Sequence, residues 1–307
     1  MGVWIDTDMG FDDIAAILVV ANAGEPIDGI SLVFGNSGFR QVRQNAASAV
    51  AAFGWAFPIH DGRSLPVLGR LETAENILSA AGMLTAGRSL PPAPLPPESD
   101  FFTALCHWLE TAESPRRILA LGPLTNIAAL ALARPDLAKR IDDLTWMGGG
   151  VTAGNHTASA EFNAFADPEA LAIVLAQNLP LRMVDLDLCR KVVAFPEDVA
   201  PVRAAGGRNA DLLADLLAGY ISIGTSRGRP GMAIYDPCAA VAFVHPDTVT
   251  FAEARIDVEL AGTLTRGRTV VEIRVPPNER NAAFASDINA AAARVLVLGA
   301  LTAEARQ

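Results

Sequence analysis

Cysteine, histidine and positive charge are all scarce in this sequence. Its 307 residues include three cysteines, at positions 106, 189 and 238, and four histidines. An odd number of widely spaced cysteines indicates neither a disulfide framework nor a zinc site, and suits a reducing cytoplasm. The 24 lysines and arginines are outnumbered by 34 acidic residues, which gives a net charge of -10. Such a chain is a poor partner for nucleic acid or an anionic membrane.

Long apolar runs are also missing, although 51% of the residues are hydrophobic. No run reaches the length of a transmembrane helix. An apolar segment starts at Val3, so no signal peptide is expected, and Asp6 stands where a myristoylation signal needs Ser or Thr. We therefore expect a cytoplasmic protein. Without an internal repeat or visible boundary, residues 1–307 are predicted to form a single domain.

Short β-branched runs alternate with longer helical runs along the chain. This pattern is typical of an α/β fold with an open, mainly parallel sheet flanked by helices. Near the end, two strands joined by a tight turn at residues 261–262 predict an antiparallel addition to that sheet. The predicted strands are residues 3–5, 30–34, 117–121, 144–147, 181–188, 251–260 and 263–275, and the last helix is residues 288–301.

The most informative pattern is a group of four carboxylates near the start. Asp6 and Asp8 follow the first apolar run, which predicts a short buried strand. Asp12 and Asp13 begin a segment whose apolar residues recur with the spacing of one helix face. Gly10 supplies a permissive turn, and a helix start favours negative charge. The four acids are therefore expected to converge on one crevice.

Carboxylates this close together repel, and one would take up a proton unless positive charge relieved the repulsion. A divalent cation is the simplest relief. With hard oxygen ligands and no histidine or cysteine nearby, calcium or magnesium is favoured over zinc. The alternative interpretation is a set of capping aspartates on a solvated helix end. It accounts for Asp12 or Asp13 singly but not for Asp6 and Asp8 on the strand side.

Other polar or flexible positions follow later strands. In open α/β sheets ligands bind beyond the carboxyl ends of the strands. Asn36 can therefore face the same pocket as Asp8, and the backbone carbonyl of Leu121 can join the oxygen shell of a cation. Taken alone, Gly35-Asn36 is more typical of a turn, and the glycine run at 148–150 is a weak signal.

Two further segments complete the candidate pocket. Asn155, Glu161 and Asn163 lie in a polar loop and are hydroxyl-binding groups by chemistry, with turn and capping roles as the alternative. Asp236 precedes a proline and is expected to cap a helix, although its carboxylate can equally complete a metal shell.

Residues 61–100 include a proline-rich run, which predicts a long irregular excursion and a partly buried lid. Ser99 is expected to cap the helix after it. Asp185 and Asp187 form a second acid pair, which we interpret as structural because no glycine turn or further acidic cluster follows.

Six motifs together resemble a known family over nearly the whole chain. They are IDTDMGFDD at the start, GN at 35–36, LGPLTNIA, WMGGG, the loop N-x5-E-F-N, and YDP. Their order and spacing are those of nucleoside hydrolases, the inosine-uridine-preferring N-ribohydrolase group. The aspartate-rich opening is highly specific in combination with the later motifs, each of which is weak alone.

The resemblance implies calcium-dependent hydrolysis of the N-glycosidic bond of ribonucleosides, in the open α/β fold of the family, usually assembled as a homodimer or homotetramer. It implies that Asp8 deprotonates the attacking water and that Asp6 supports the metal ligands from behind. The implied calcium ligands are Asp8, Asp13, the backbone oxygen of Leu121 and Asp236. The implied ribose contacts are Asp12, Asn36, Met147, Asn155, Glu161 and Asn163.

The chain departs from the best-known members at the leaving-base end. They carry a histidine just before the last metal-binding aspartate and another in the lid, where this chain has Tyr235 and Leu78. We therefore predict that Tyr235 stacks on the nucleobase and that purine nucleosides are preferred. His156 is either a substitute acid or, as is more usual for a loop histidine, a surface residue.

Two other functions compete with this one. A phosphohydrolase of the haloacid dehalogenase type also opens with an Asp-x-Asp strand end, but only Lys191 follows the pair at 185 and 187 as its candidate lysine. A non-catalytic ribonucleoside-binding protein would explain the loss of both histidines. Product analysis distinguishes all three.

Overall fold

The computed structural model describes residues 2–307. Strands within this range form a main sheet and a small two-stranded sheet. The strands are β1 (Val3–Thr7), β2 (Ile27–Leu32), β3 (Ile59–Asp61), β4 (Arg117–Ala120), β5 (Asp143–Met147), β6 (Leu181–Val184), β7 (Val193–Ala194), β8 (Met232–Ala233), β9 (Val249–Val258), β10 (Thr269–Glu272) and β11 (Ala282–Ile288).

Helices cover both faces of the main sheet. They are α1 (Phe11–Asn22), α2 (Phe39–Phe53), α3 (Glu75–Leu78), α4 (Phe101–Thr111), α5 (Thr125–Ala133), α6 (Pro135–Ala138), α7 (Phe162–Ala166), α8 (Pro168–Ala176), α9 (Leu186–Cys189), α10 (Val199–Ala204), α11 (Ala210–Thr225), α12 (Asp236–Val244) and α13 (Ala290–Ala305). Three short 3-10 helices are Pro196–Asp198, Pro246–Thr248 and Pro277–Glu279. No helix within residues 2–307 is long and apolar enough to cross a membrane.

Strand β1 shows how the sheet separates two hydrophobic cores. Successive side chains of a strand point to opposite faces. Val3 and Ile5 accordingly pack into the core formed with α1 and α11 to α13, whereas Trp4 packs into the core formed with α4, α5 and α8. Buried on both faces, β1 is apolar at every position until Asp6, the pattern expected of a central parallel strand.

The main sheet has the order β10-β9-β11-β6-β5-β4-β1-β2-β3. The seven strands from β11 to β3 are parallel, and β9 and β10 are antiparallel additions at one edge. After β1 the chain runs outward to β2 and β3, then returns to place β4 on the other side of β1. This reversal opens a crevice between the carboxyl ends of β1 and β4, the usual ligand site of such sheets. The open α/β architecture is therefore confirmed.

The predicted antiparallel hairpin needs correction. Strands β9 and β10 pair as expected, but ten residues separate them instead of a tight turn at 261–262. Strand β11 was missed, and it lies in the sheet between β9 and β6. Ile288, predicted to start the last helix, ends this strand, and α13 begins two residues later. Small residues dominate β11, so its sequence, AAFASDI, carries little β propensity.

Three predicted element ends were also wrong. The strand at 181–188 stops at Val184, because the Asp185 side chain accepts from the amides of Asp187 and Leu188 and starts α9. Asp100, not Ser99, caps α4, with its carboxylate accepting from two backbone amides. Asp236 is the first residue of α12 and makes no capping hydrogen bond, which leaves its carboxylate for the pocket.

Candidate active site

A cavity of about 730 Å³ lies over the carboxyl ends of the central strands. The predicted site residues line it except Asp13 and Asp6, which are buried behind it. The polar lining consists of Asp8, Asp12, Asn36, Asn155, His156, Glu161, Asn163, Tyr220, Arg227, Tyr235 and Asp236. The apolar lining consists of Ala74, Ile77, Leu78, Leu121, Met147, Phe162, Ile223 and Met232.

Asp13 is fixed by the turn between β1 and α1. Its Oδ1 accepts from the Thr7 hydroxyl at 2.5 Å and from the Asp8 amide at 3.2 Å. Its Oδ2 accepts from the Gly10 amide at 2.8 Å and from the Asn36 side chain at 3.1 Å. The strand-turn-helix sequence therefore holds this carboxylate in one orientation, with its charge at the start of α1.

Asp8 is held in place by hydrogen bonds from the loop that follows β2. The backbone amide of Asn36 donates to Asp8 Oδ2 at 2.7 Å, and the side-chain amide donates to Oδ1 at 2.8 Å. A Cβ at Gly35 would lie 1.9 Å from Asp8 Oδ2, so only glycine permits this approach. Asn36 is thus more than a turn residue, because it bridges Asp8 and Asp13.

Asp8, Asp13 and Asp236 are buried in the acidic cluster, and Asp12 beside them is partly buried. Burial, followed by repulsion from Asp13, raises the pKa of Asp12 to about 7 and holds the pKa of Asp8 well above its usual range. Burial and the same neighbours raise the pKa of Asp236 well above its usual range. Within residues 2–307, none of these acids forms an ion pair with a lysine or arginine. The described residues thus supply the negative charge of the cluster but no lysine or arginine ion pair that neutralises it.

These acids suit a hard divalent cation. One carboxylate oxygen from each of Asp12, Asp13 and Asp236 lies within 4.8 Å of the others. The Leu121 carbonyl lines the same cavity and accepts a hydrogen bond from Asn163 at 2.9 Å. A buried set of oxygen donors without thiolate or imidazole is the ligand chemistry that calcium or magnesium prefers. The trio contains Asp12, which the sequence analysis assigned to ribose, and does not contain Asp8.

Asp6 lies behind this cluster. Its Oδ1 accepts from the Asn126 side chain at 2.7 Å and from the Ser31 hydroxyl, while Oδ2 has no hydrogen-bond partner within residues 2–307. Burial raises the pKa of Asp6 to about 7, although those two hydrogen bonds act in the opposite direction. Asp6 does not line the cavity, in keeping with its expected supporting position.

The polar loop is tied to two strand ends. Glu161 caps α7, and its carboxylate also accepts from the Gly149 amide at 2.8 Å. Burial raises the pKa of Glu161 to about 7. The Asn163 side chain donates to the Leu121 carbonyl and, at 3.0 Å, to the Met147 carbonyl. These contacts tie the polar loop to the backbone at the ends of β4 and β5.

Asn155 takes part differently. Its Oδ1 accepts from the Phe162 amide at 3.0 Å, and the residue is exposed at the cavity mouth.

Asp185 and Asp187 remain outside the cavity. Asp187 accepts from the amides of Val151 and Thr152, both at 2.8 Å, so this acid pair shapes the approach to the polar loop.

The cavity lining also contains apolar and aromatic side chains. Leu78 lies in α3, inside the excursion predicted as a lid, and Tyr235 precedes α12. His156 is half-buried, with its ring 5.4 Å from that of Phe162 and 4.6 Å from that of Phe165. Burial lowers the pKa of His156, so the neutral imidazole dominates at pH 7. The loop histidine is thus part of the cavity wall instead of a plain surface residue.

Tyr220 reaches the cavity from α11 and was not predicted from the sequence. Its hydroxyl lies 3.4 Å from Asp12 Oδ2 and donates to the Ala233 carbonyl at 2.8 Å. The residue stands in an apolar helix that carries no motif. The available signal was the hydroxyl itself, since a buried tyrosine needs a polar partner.

The fold and the site define an open α/β protein whose ligand cavity combines an acidic, metal-compatible floor with apolar wall residues. Residues 3–294 match the family model described as inosine-uridine preferring nucleoside hydrolase. The chain belongs to this family and is a ribonucleoside N-ribohydrolase. This assignment rejects both the phosphohydrolase and the non-catalytic alternatives.

Curated relatives align over almost the whole chain. The pyrimidine-specific ribonucleoside hydrolase RihA of Shewanella woodyi is 31% identical over 294 residues, which cover 94% of this chain and 93% of that protein. RihA of Escherichia coli is 30% identical over 291 residues, with 93% of both chains covered.

Solved structures share the fold. A purine-preferring ribonucleoside hydrolase from Gardnerella vaginalis superposes with a TM-score of 0.91 at 23% identity, covering 100% of this chain and 99% of that one. A plant nucleoside hydrolase superposes with a TM-score of 0.89 at 23% identity, covering 98% and 99%.

Proposed function

We propose that this enzyme hydrolyses ribonucleosides in a calcium-dependent reaction and prefers purine nucleosides. The observation that supports calcium most strongly is the buried carboxylate cluster, which has no cationic side chain paired with it in the described residues. Asp8, Asp13, Asp236 and the Leu121 carbonyl are the proposed ligands, and Asp12 lies close enough to add a fourth carboxylate. When bound, calcium supplies positive charge that positions ribose hydroxyls and makes a coordinated water more acidic.

Asp8 is the proposed general base. It accepts the proton of the water whose oxygen bonds to C1' of the ribose, while the electron pair of the bond from C1' leaves with the base nitrogen. The base departs as an anion and takes up a proton from solvent. The two Asn36 donors keep the Asp8 carboxylate aimed. The acids around it also stabilise the positive charge that develops on the sugar.

Ribose is proposed to bind between the floor and the polar loop. Asp12, Asn36, Asn155, Glu161 and Asn163 supply acceptors and donors for its hydroxyls, and Met147 contacts the sugar. Glu161 and Asn163 are buried and already hydrogen-bonded to backbone groups, so their orientation is set before substrate arrives. Such preorganisation reduces the entropy lost on binding.

The proposed purine preference rests on Tyr235 and the apolar wall residues. Burial raises the pKa of the Tyr235 phenol above its ordinary value, which makes it a poor acid at neutral pH. Stacking of the ring on the base is therefore its proposed contribution. The similar proteins named above differ in base, since RihA is pyrimidine-specific and the Gardnerella enzyme purine-preferring, so the cavity of this chain must decide.

The calcium proposal is tested by turnover of inosine after exhaustive chelation and after restoring calcium or magnesium. We expect chelation to remove activity and calcium to restore it. Full turnover in excess chelator would reject the metal requirement while leaving the family assignment intact.

Three further proposals concern the location, the domain organisation and the oligomeric state of the protein. We propose a reducing cytoplasmic location, since Cys106, Cys189 and Cys238 are all free and buried. We propose one nucleoside hydrolase domain, because strands from both ends of the chain share the main sheet. A homodimer or homotetramer is proposed from the family resemblance, and light scattering coupled to size-exclusion chromatography tests it.

A further inference from the structure

A buried amide on α2 connects two segments that are far apart in the sequence. Asn45 is only 5% exposed and does not line the cavity. Its Nδ2 donates to the Met9 carbonyl at 3.1 Å and to the Ala81 carbonyl at 2.9 Å. Met9 directly follows Asp8, and Ala81 belongs to residues 74–85, which we call the cover segment.

Each segment contributes to the cavity. The cover segment supplies three apolar wall residues, Ala74, Ile77 and Leu78. The turn around Met9 positions Asp8 and Asp13, because its backbone amides donate to the Asp13 carboxylate. One side chain therefore hydrogen-bonds to the backbone of both segments.

The backbone at Met9 needs such support. Its φ is 53°, in the left-handed region that a residue with a side chain seldom adopts, and the residue is fully buried. The Thr7 hydroxyl accepts from the Met9 amide at 3.0 Å, and Asn45 binds its carbonyl. Strained backbone of this kind persists only when its surroundings hold it.

The orientation of the Asn45 amide is determined by its neighbours. Two carbonyls face its nitrogen, and a carbonyl can only accept. The Gln41 side chain donates to Asn45 Oδ1 at 2.9 Å, which occupies the other end. Both hydrogens and the oxygen of the amide are thus used, and a reversed amide would place its oxygen against two carbonyl oxygens.

We propose that Asn45 is a positioning residue that joins the cover segment to the turn around Met9, which positions Asp8 and Asp13. Calcium affinity and substrate affinity both depend on this residue. The inference rests on the proposed calcium site. A second connection exists, since the Ala74 amide donates to the Gly35 carbonyl at 3.2 Å. Loss of Asn45 therefore weakens the junction without abolishing it.

The first test compares Asn45→Ala and Asn45→Asp with Asn209→Ala. Asn209 is also buried and donates one side-chain hydrogen bond, to Glu304, but lies outside the cavity. We expect both Asn45 variants to weaken calcium binding, measured by titration calorimetry, by on the order of tenfold, with KM rising more than kcat falls. The Asn209 control should bind calcium as the native protein does.

The order of the two Asn45 variants separates positioning from space filling. Asp has the shape of Asn but turns a charged acceptor toward two carbonyls, so it should be more damaging than Ala at pH 8. A residue that only fills space would show Asp as the milder change, and that result would overturn the proposal. If Asn45→Ala does not fold, Gln41→Ala replaces it and should shift calcium affinity in the same direction by a smaller factor.

Hydrogen exchange of the metal-free protein tests the junction without calcium. Amides at 9–10 and at 79–85 should both exchange faster in Asn45→Ala than in Asn209→Ala, relative to amides of α4 in each protein. Faster exchange in only one segment overturns the proposal. If the native protein binds no calcium but Asn45→Ala exchanges faster in both segments, the proposed cofactor is rejected and the junction is supported.

Discussion

Asn36 donates two hydrogen bonds to Asp8, one from its backbone amide and one from its side chain, and the two bonds engage both carboxylate oxygens. The same side chain reaches Asp13 at 3.1 Å. A residue in the loop after β2 therefore fixes the relative position of the proposed base and a proposed metal ligand. We therefore expect substitution of Asp8 and substitution of Asp13 to have different effects.

Asp13→Ala should abolish both calcium binding and activity. The change removes a carboxylate at the centre of the acidic cluster and leaves the Gly10 amide and the Thr7 hydroxyl without their acceptor. Calorimetry with calcium and ribose release from inosine measure the two effects. Asp247→Ala, at an exposed acid, provides the control for loss of one charge. Retention of native calcium affinity in Asp13→Ala would contradict the ligand assignment.

Asp8→Asn should reduce kcat by more than about a hundredfold, the lower range for loss of general-base catalysis. An amide keeps the size of the side chain and one oxygen for Asn36, but accepts no proton from water. Ribose affinity should change less. The result that identifies Asp8 as a ligand only is a collapse of affinity with kcat preserved.

Calcium affinity should fall as pH falls from 8 to 6. Burial and neighbouring charge raise the pKa of Asp12 to about 7, so protons compete with calcium in this range. Because the raised pKa means that the metal-free site holds protons near neutrality, calcium binding should release them. Calorimetry in buffers of different ionisation enthalpy counts the protons released. An affinity that is constant across this range would show that these acids are already ionised without calcium.

Tyr235→Phe should be mild and Tyr235→Ala severe. Stacking on an aromatic ring contributes about 1 to 3 kcal/mol per base, and phenylalanine keeps that surface. The loss of kcat/KM in Tyr235→Ala should be larger for inosine or adenosine than for uridine. Equal damage from Phe and Ala would assign the effect to the hydroxyl. Uridine as the better substrate of the native enzyme would contradict the proposed purine preference.

His156→Ala should lower kcat/KM without removing the dependence on Asp8. The ring packs on Phe162 and Phe165 and lines the cavity, while its lowered pKa disfavours the cationic acid. We expect the alkaline limb of the pH profile of kcat, which would report deprotonation of a leaving-group acid, to be unchanged in the variant. Loss of one ionisation from that profile would instead identify His156 as the leaving-group acid.

The acidic floor could be predicted because neighbouring parts of the sequence encode it. A strand, a glycine turn and a helix start bring Asp8 and Asp13 together locally, and parallel strands place Asn36 and Leu121 at the same edge. The contribution of α11 was not predictable in this way. Tyr220 reaches Asp12 across 208 positions of sequence, and nothing in the helix pattern indicates which turn meets the cavity. Strand β11 was missed because alanine and serine pack in many environments.

The central claim is cleavage of the N-glycosidic bond, and product analysis tests it most directly. Inosine, adenosine, uridine and cytidine are incubated with the enzyme with calcium and with excess chelator, and the products are separated and quantified. We predict that free ribose and free base are released in equal amounts and that purine nucleosides release them faster than pyrimidine nucleosides. We predict no product in excess chelator. Intact nucleoside in every calcium-containing reaction, despite tight binding, would contradict the central claim.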